Sequence, residues 1–572
     1  MSYLDQIGFY RFIDLVASSE AMDTSSSIPK TITSIILRQM STYYFSCIFL
    51  LLFLLTQCAV SLKILMYQTA FSPSHVGFSG GLADILIQAG HTVDKLIIEY
   101  NPTVLTNGST KLRNVYRIGM TGHNPFMDLK HITNPFENAP FLRRDDSFEH
   151  AKMSLCEALI SNKELIKGLK SEKYHLYITA AYDGCTFGLY HLLKVPSMVG
   201  FTATPLMDGV FELLGIPVPP SFVSSTLRAR PGDRDQLSFH RRVENFLEAT
   251  DDAIFPKHHG PEQDLFEKYY PGFPPLRSIG ATMSFLFLNT DEILDIPKPI
   301  SPKVKFVGGI AMKKPKELSQ EFEKILSIAS KGVILFSFGS LVKTTQIPFP
   351  AKVELLNAFR EFPDYTILWK YDDIEADSNL LRNYSNVFTS SWLPQKELLH
   401  DPRIKVFITH MGLNSYLELS HAGVPAIGIP ILGDQFYNTG CAEKNGVAVQ
   451  LDKTRLTTCS VVAALRQVLD NPSYTQRAKE ISRLLAKKPD KITPEKFVQY
   501  IEFAAEFPRI GTDVYQLASA RMNLLVYLSL DVVFFLLGCA TLVIGLVIVV
   551  FKIAKSLLRK KFVAKVGHKK VQ

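Results

Sequence analysis

The sequence predicts an α/β protein with two doubly wound halves that face each other across a cleft, followed by a C-terminal membrane helix. Two observations predict the halves: β-rich runs alternate regularly with helical runs after residue 331, and a strand–helix–strand pattern opens the chain near residue 62. The third observation is the run 532–551, which contains twenty uncharged residues. At about 1.5 Å per residue, this run makes about 30 Å of helix, enough to cross a bilayer.

The formal charge of +8 belongs to the C-terminal tail. Residues 552–572 contain eight Lys or Arg and no acid, so subtracting them from 62 basic residues leaves 54 against 54 acidic residues. Because the rest of the chain is formally neutral, the charge gives no reason to expect nucleic-acid binding. Basic residues directly after a span favour a cytosolic tail, and Lys569 with Lys570 match a dilysine retrieval signal.

Residues 1–61 are predicted to be an N-terminal extension that contains a secretory signal. Residues 43–55 form a short apolar run, and small residues in −3/−1 spacing end at Ser61, where we expect cleavage. A leader of this length is unusual, so a start at Met22 or Met40 and an uncleaved anchor are open alternatives.

The signal and the span together predict a single-pass type I protein of the endoplasmic reticulum membrane, with its body in the lumen. Asn107 and Asn383 each begin an Asn-X-Ser triplet, which is a glycosylation acceptor in that compartment. The cysteines of the body are too few for a disulfide framework and have no metal-site spacing: Cys156, Cys185, Cys441 and Cys459.

In the N-terminal half, we predict a strand at 62–70, a loop at 71–81, a helix at 81–90 and a strand at 91–98. A strand at 174–180 and a helix at 184–194 repeat the pattern. Residues 101–174 and 205–278 lack periodicity and are rich in Pro and aromatic residues. We interpret them as irregular loops and helices that line an apolar cleft, with plain packing as the alternative for any single residue.

The C-terminal half begins after a predicted linker at 295–302, which contains three Pro residues. Beyond it, strands and helices alternate as expected for a parallel, doubly wound sheet. The predicted strands are 333–340, 365–370, 386–391, 404–410, 424–430 and 447–452, and the predicted helices are 351–362, 396–401 and 413–423.

Polar residues are concentrated in residues 388–438, near the ends of these strands. His410 ends an apolar strand, and Gly412, Asn414 and Ser415 open the helix that follows. Free N–H groups and a partial positive charge at a helix N-terminus suit a diphosphate. The body has no GxxxxGK[ST] phosphate loop, so the site is of another kind.

Five further residues complete this constellation. Glu418 lies four residues after Asn414, on the same helical face, where a carboxylate can accept hydrogen bonds from ribose hydroxyls. Trp392 can stack on a flat base, and Gln395 is placed for a polar contact to the nucleoside. Asp434 and Gln435 follow at the end of the next strand.

In this order, the motifs resemble the nucleotide-sugar signature of the UDP-glycosyltransferases, most closely the animal UDP-glucuronosyltransferases. The resemblance implies two Rossmann-like domains of the GT-B type: an acceptor-binding domain at 62–295 and a UDP-sugar-binding domain at 303–523. We assign 524–551 to the membrane helix and 552–572 to the basic cytosolic tail. The resemblance also implies nucleotide contacts for Trp392, Gln395, His410, Asn414, Ser415 and Glu418, sugar contacts for Asp434 and Gln435, and a donor contact near the phosphates for Ser340. We place Gly412 in the same donor site because a glycine there allows the backbone to approach the diphosphate closely.

The resemblance assigns the catalytic base to His75, in the loop after the first strand, and implies inversion at the anomeric carbon. This role requires His75 and the nucleotide site to lie on opposite walls of one cleft. The family orients this His with a carboxylate at the end of strand 174–180, where this chain has Ala180. Asp183 is the nearest acid and can substitute only if its loop bends back.

The expected reaction is inverting transfer of glucuronate or glucose from a UDP-sugar co-substrate to a hydroxyl of a small lipophilic acceptor, without bound cofactor or metal. Lys370 stands where many relatives carry Arg, which weakens the case for glucuronate over glucose. Ala180 supports one alternative, a catalytically silent UDP-sugar-binding membrane protein or a regulatory partner of active relatives. The expected partners are the donor, the acceptor and the membrane, with a homo- or hetero-oligomer also open.

Overall fold

The computed structural model describes residues 61–137, 146–234, 236–254 and 260–568. Leu62–Gln572 form one compact unit. The strands are β1 Lys63–Thr69, β2 Thr92–Ile98, β3 Val115–Ile118, β4 Leu176–Ala180, β5 Ser197–Thr202, β6 Leu286–Leu288, β7 Val304–Phe306, β8 Gly332–Ser337, β9 Tyr365–Lys370, β10 Val387–Ser390, β11 Ile404–Thr409, β12 Ala426–Gly428 and β13 Ala448–Gln450. The predicted N-terminal extension and the dilysine signal lie outside the described residues.

The helices connect and cover these strands. In the first half they are α1 Pro73–Gln88, α2 Lys130–Thr133, α3 Asp146–Ser161, α4 Lys163–Ser171, α5 Cys185–Leu193, α6 Asp208–Leu214, α7 Phe239–Ile254, α8 Gly260–Tyr269 and α9 Leu276–Gly280. In the second half they are α10 Gln320–Ile328, α11 Phe349–Arg360, α12 Ser378–Leu381, α13 Gln395–Leu399, α14 Leu413–Ala422, α15 Gln435–Lys444, α16 Thr458–Leu469, α17 Pro472–Lys487, α18 Pro494–Glu506, α19 Ile510–Asp513, α20 Leu524–Tyr527 and α21 Leu530–His568.

Two parallel sheets organise the described residues, which confirms the predicted fold class. The first sheet has the order β3-β2-β1-β4-β5-β6-β7 and the second β10-β9-β8-β11-β12-β13. Neighbouring strands run parallel in both sheets. The central strands β4 and β8 are buried along their whole length, as expected for sheets covered by helices on both faces.

The first helix begins earlier than the sequence predicted. Residues 71–81 were expected to form a loop, but α1 starts at Pro73 and includes His75 in its first turn. Proline suits this position because its ring presets φ and its missing N–H has no partner in a first helical turn. Gly80 lies within this helix, and a Cβ there would lie 2.1 Å from the carbonyl oxygen of Gly108, so the close approach of the two segments requires glycine. The glycines therefore permit close packing rather than mark a loop.

The segments predicted to be irregular contain more helix than expected, including α3, α4 and α7. A disulfide joins Cys156 of α3 to Cys185, the first residue of α5. The sequence did not predict this pair, because the two residues are 29 positions apart and only the tertiary fold brings the two helices together.

The boundary between the halves lies later than the predicted linker. β7 follows residues 295–302 but pairs with β6, so the first sheet extends past the predicted boundary between 295 and 303. Near the other end of the body, α18 returns to the first half, where Phe497 and Ile501 pack in the same core as Phe201 of β5. The first half is thus completed by two segments from beyond the linker.

The C-terminal helix α21 is longer than the predicted span. Residues 530–562 are long and apolar enough to cross a membrane, and no part of that stretch is buried inside the protein. The helix continues to His568, so most of the basic tail extends the same helix rather than following it as an irregular segment.

Candidate functional site

A cavity of about 1270 Å³ is lined by residues of both halves. Its first wall includes His75 of α1, and its second wall includes the N-terminus of α14. A pocket for one drug-sized ligand typically measures about 300–1,000 Å³, so this cavity has room for two molecules at once. His75 and the predicted site residues of segment 388–438 therefore line the same cavity.

The second wall is built where β8 and β11 end beside each other at the centre of their sheet. Glycines keep this edge open around His410: a Cβ at Gly339 or at Gly412 would lie 2.6 Å from its imidazole ring. Burial lowers the pKa of His410 to about 4, so the ring is neutral at pH 7. A neutral imidazole can both donate and accept a hydrogen bond.

The helix α14 begins immediately after Gly412, its N-cap residue, which makes no side-chain cap hydrogen bond. The backbone N–H groups of its first turn therefore have no side-chain acceptor from the N-cap and can bind an anion. Met411, just before the cap, has φ 60°, a left-handed conformation that favours glycine. Its side chain is nevertheless fully buried in the core, which explains how a methionine is held there.

Three predicted nucleoside-binding residues are already connected to each other. Gln395 donates from Nε2 to Glu418 Oε2 (2.6 Å) and to Ser415 Oγ (3.2 Å). Burial raises the pKa of the Glu418 carboxyl. Across the boundary between the halves, Asn289 donates from Nδ2 to Asn414 Oδ1 (3.0 Å). These contacts hold the side chains in place at the cavity wall.

The two tryptophans of the chain have opposite environments. Trp369 of β9 is fully buried and stacks on Phe336 with ring centroids 4.6 Å apart. Trp392 lines the cavity with 71% of its surface exposed. An indole that is exposed beside a cavity offers a flat apolar face to a ligand, whereas Trp369 is a core residue.

The remaining predicted donor residues also line the cavity. Ser340 follows β8 and is exposed. Asp434 accepts a hydrogen bond from Asn438 (2.9 Å), and burial raises the pKa of its carboxyl to about 6. Gln435 uses its carbonyl oxygen to accept from the backbone N–H groups of Ile431 (2.8 Å) and Leu432 (3.0 Å). The amide of Gln435 is thereby oriented by the backbone.

His75 lies between aromatic rings on the first wall. Its ring centroid is 5.8 Å from that of Phe71, in edge contact, and 5.4 Å from that of Tyr182. Its Nδ1 atom is buried and has no hydrogen-bond partner among the described residues. Burial lowers the pKa of His75 to about 4, so the ring is neutral and able to accept a proton at pH 7.

The structure does not bring Asp183 to His75. The Asp183 carboxylate instead accepts hydrogen bonds from the hydroxyls of Tyr67 (3.3 Å) and Tyr100 (3.1 Å) and from the backbone N–H of Thr186 (3.2 Å). Because it caps the start of α5, the carboxylate is drawn back into the core rather than toward the cavity. Burial raises the pKa of Asp183.

Sequence reasoning missed Tyr182, which lies two residues beyond the end of β4 and also lines the cavity. Its hydroxyl accepts a hydrogen bond from the backbone N–H of Ala203 (2.5 Å), which fixes the ring against His75. Lys152 and Glu149 of α3, 2.9 Å apart, add a charged pair to the same wall. These two residues lie in a segment with weak periodicity, so the sequence did not identify them as residues of the site.

Two facing parallel α/β halves with a ligand-sized cavity between them form the GT-B architecture. A solved structure titled "Crystal Structure Analysis of the Glycotransferase of kitacinnamycin" has the same fold, with a TM-score of 0.51 and 16% identity over 78% of this chain and 98% of that chain. The family model described as "UDP-glucoronosyl and UDP-glucosyl transferase" matches residues 63–569, and the chain belongs to that family.

Curated relatives agree with this assignment. The Caenorhabditis elegans protein named "Putative UDP-glucuronosyltransferase ugt-48" is 30% identical over 83% of this chain and 92% of its own length. UDP-glucuronosyltransferase 2B19 of Macaca fascicularis is 28% identical over 85% of this chain and 92% of its own length. UDP-glucuronosyltransferase 2A2 of Homo sapiens is 29% identical over 70% of this chain and 73% of its own length. The predicted family is therefore confirmed.

Proposed function

We propose that the protein transfers glucuronate or glucose from a UDP-sugar to a hydroxyl of a small lipophilic acceptor, with inversion and with His75 as the base. The observation that carries the proposal is the single cavity lined by His75 from one half and by the α14 N-terminus from the other. A base for the acceptor and a site for the leaving diphosphate are the two elements that this reaction needs, and the cavity has room for both substrates.

The proposed step forms a bond between the acceptor oxygen and the anomeric carbon while the bond from that carbon to the diphosphate oxygen breaks. His75 takes the hydroxyl proton; its lowered pKa leaves the ring neutral before the reaction and also makes it a weaker base than a free imidazole. UDP leaves with its negative charge facing the first-turn N–H groups of α14. The aromatic rings of Phe71 and Tyr182 hold the imidazole in the absence of a carboxylate partner.

The donor contacts proposed from the family pattern fit the chemistry of each side chain. Trp392 stacks on the uracil, Glu418 accepts the ribose hydroxyls, and Asp434 with Gln435 contact the sugar hydroxyls. Lys370, at the cavity edge, is 2.9 Å from Asp372 in an ion pair that partly neutralises its charge. That pairing supports glucose at least as well as glucuronate, because a free cation would favour a sugar carboxylate.

We also propose that the body lies in the lumen of the endoplasmic reticulum and that α21 is its single anchor. The disulfide between Cys156 and Cys185 supports an oxidising compartment. Asn107 and Asn383 are both exposed, as glycan attachment requires. Glycosidase treatment of the protein expressed in animal cells should raise its electrophoretic mobility, and no shift would contradict a lumenal body.

Mass-spectrometric product detection tests the reaction. The purified full chain is offered UDP-glucuronate and UDP-glucose side by side with mixed phenols and steroids, so that the mass added identifies the sugar. Turnover that is lost in His75→Ala, with UDP binding kept, supports the proposal. Binding of UDP without any product across the panel would favour the catalytically silent alternative.

A further inference from the structure

A second cavity, of about 230 Å³, lies between the first half and the segment that leads into α21. Its lining includes Asn245 and Ala249 of α7 together with Met522 and Tyr527. That segment packs tightly against the end of α6: Ser519 donates a hydrogen bond from Oγ to the Gly215 carbonyl. The second cavity is therefore placed directly beside the start of the membrane anchor.

One ion pair is shared by the linings of the two cavities. Asp208 and Arg228 line both of them, and Arg228 Nη2 is 3.1 Å from Asp208 Oδ2. Ser225 also donates to this carboxylate from Oγ. The side chains of Arg228 and Asp208 are 17% and 24% exposed, as expected of groups that face open space on either side.

The outer surface of α7 has the reverse of the usual distribution of polar and apolar residues. Its inward face carries Arg241, which binds Asp233, and Asn245, which donates to backbone carbonyls. Its outward face carries Phe239, Val243 and Leu247, spaced four residues apart and 74%, 41% and 61% exposed. A helix with a polar inner face and an apolar outer stripe is suited to lie on a bilayer surface.

The bilayer is the partner that the chain itself places nearby. Leu525, Val526 and Leu528 are at least 44% exposed and immediately precede α21, so they lie where the anchor leaves the membrane. The second cavity connects this segment to α7, because it is lined by residues of both. The two elements that carry these exposed apolar residues, α7 and the segment before α21, therefore line the same cavity.

We propose that the second cavity is a vestibule that opens toward the bilayer and admits lipophilic acceptors to the main cavity, with the Asp208–Arg228 pair as the barrier between them. The inference rests on the proposed function and adds the route by which its acceptor arrives. The ligand class is a hydroxylated lipophile that partitions into lipid, such as a long-chain alkylphenol. At about 230 Å³, the vestibule is smaller than a typical ligand site, which suits passage rather than storage.

The first test blocks the vestibule and leaves the main cavity unchanged. Ala249 lines only the second cavity, so Ala249→Trp narrows it. Ala376→Trp, on an exposed loop outside both cavities, is the matched control. With the full chain in phosphatidylcholine vesicles, kcat/KM for a nonylphenol should fall at least fivefold in Ala249→Trp, and kcat/KM for phenol less than twofold. The control should change neither value.

An equal loss for both acceptors, or no loss for either, would overturn the vestibule while the proposed function stands. Labelling supplies a readout that needs no turnover. A photoreactive diazirine derivative of the same alkylphenol should label residues 519–527 in the wild-type chain and label them less in Ala249→Trp. If neither acceptor yields product with the wild-type chain, the proposed function fails, and the labelling pattern still decides whether the vestibule exists.

The second test addresses the surface of α7 and does not depend on a substitution that fills a cavity. Leu247→Trp adds an indole to the exposed stripe, and phospholipids with brominated acyl chains quench indole fluorescence only on contact. The added fluorescence should be quenched in brominated vesicles, whereas that added by Ala376→Trp should not be. Equal fluorescence of Leu247→Trp in brominated and ordinary vesicles would show that this face does not rest on the bilayer.

Discussion

The contrast between the two tryptophans offers the sharpest test of the donor site. Trp392 is 71% exposed at the cavity, so Trp392→Ala removes little packing and should change the free energy of unfolding by less than about 0.5 kcal/mol. If the indole stacks on uracil, its loss should cost about 1–3 kcal/mol of binding, the usual range for stacking of a base on an aromatic ring. At about 1.4 kcal/mol per tenfold, the Kd of UDP should rise roughly 5- to 150-fold.

Trp369 supplies the matched control. It is fully buried against Phe336, and its Nε1–H has no hydrogen-bond partner among the described residues. Trp369→Ala should therefore lower the free energy of unfolding by about 3–5 kcal/mol. Trp369→Phe keeps most of the ring volume and removes the unpaired donor, so it should leave the Kd of UDP unchanged.

Titration calorimetry with UDP and urea denaturation measure the two quantities on the same preparations. Trp392→Ala should lose affinity for UDP without losing stability, and Trp369→Ala should lose stability without losing affinity for UDP. Wild-type affinity for UDP in Trp392→Ala would refute the stacking role. A large loss of stability in that variant would refute the description of Trp392 as an exposed, ligand-facing ring.

Three further predictions concern the base, the turn before α14 and the disulfide. Because burial lowers the pKa of His75 to about 4, protonation of His75 should not depress kcat/KM between pH 5.5 and 7.5, whereas Asp434, with a pKa of about 6, titrates in that range; an acid limb centred near 6.5 that persists in Asp434→Asn would contradict this. Met411→Gly relieves about 1 kcal/mol of backbone strain but loses about 2–5 kcal/mol of burial, so urea denaturation should show a net loss of about 1–4 kcal/mol; a stabilised variant would disagree. Replacing both Cys156 and Cys185 with Ser opens a loop of about 30 residues and should lower the free energy of unfolding by about 3–4 kcal/mol relative to the wild type. Under reducing conditions the wild type also lacks the disulfide, so the difference between the two proteins should vanish.

Much of the second half was predictable because its side chains alternate with the periods of strands and helices. The predicted strand at 365–370 coincides with β9, and the helix predicted at 413–423 differs from α14 by one residue. The first half was less predictable. The helix α7 carries its apolar residues on the outward face, so it cannot be placed by a prediction that assumes apolar residues point inward.

The candidate site divides in the same way. The residues from Trp392 to Gln435 are close in sequence, and all of them that were predicted line the cavity. The residue that contacts His75 could be identified only from the tertiary structure. Asp183 is near in sequence but accepts hydrogen bonds from Tyr67 and Tyr100, whereas the ring of Tyr182, one residue earlier, contacts the imidazole. Neighbouring residues at a strand end point in different directions, so sequence distance alone does not choose between them.

The sequence by itself determined the fold class, the family and the residues of the proposed donor site, because these depend on local periodicity and on an ordered motif within some fifty residues. Only the tertiary structure decided that His75 shares a cavity with that site, that Cys156 meets Cys185, and that the first sheet includes a strand from beyond the linker. Each of these depends on contacts between distant segments. Such contacts are selected by the packing of whole sheets and helices, and no local pattern of side chains records them.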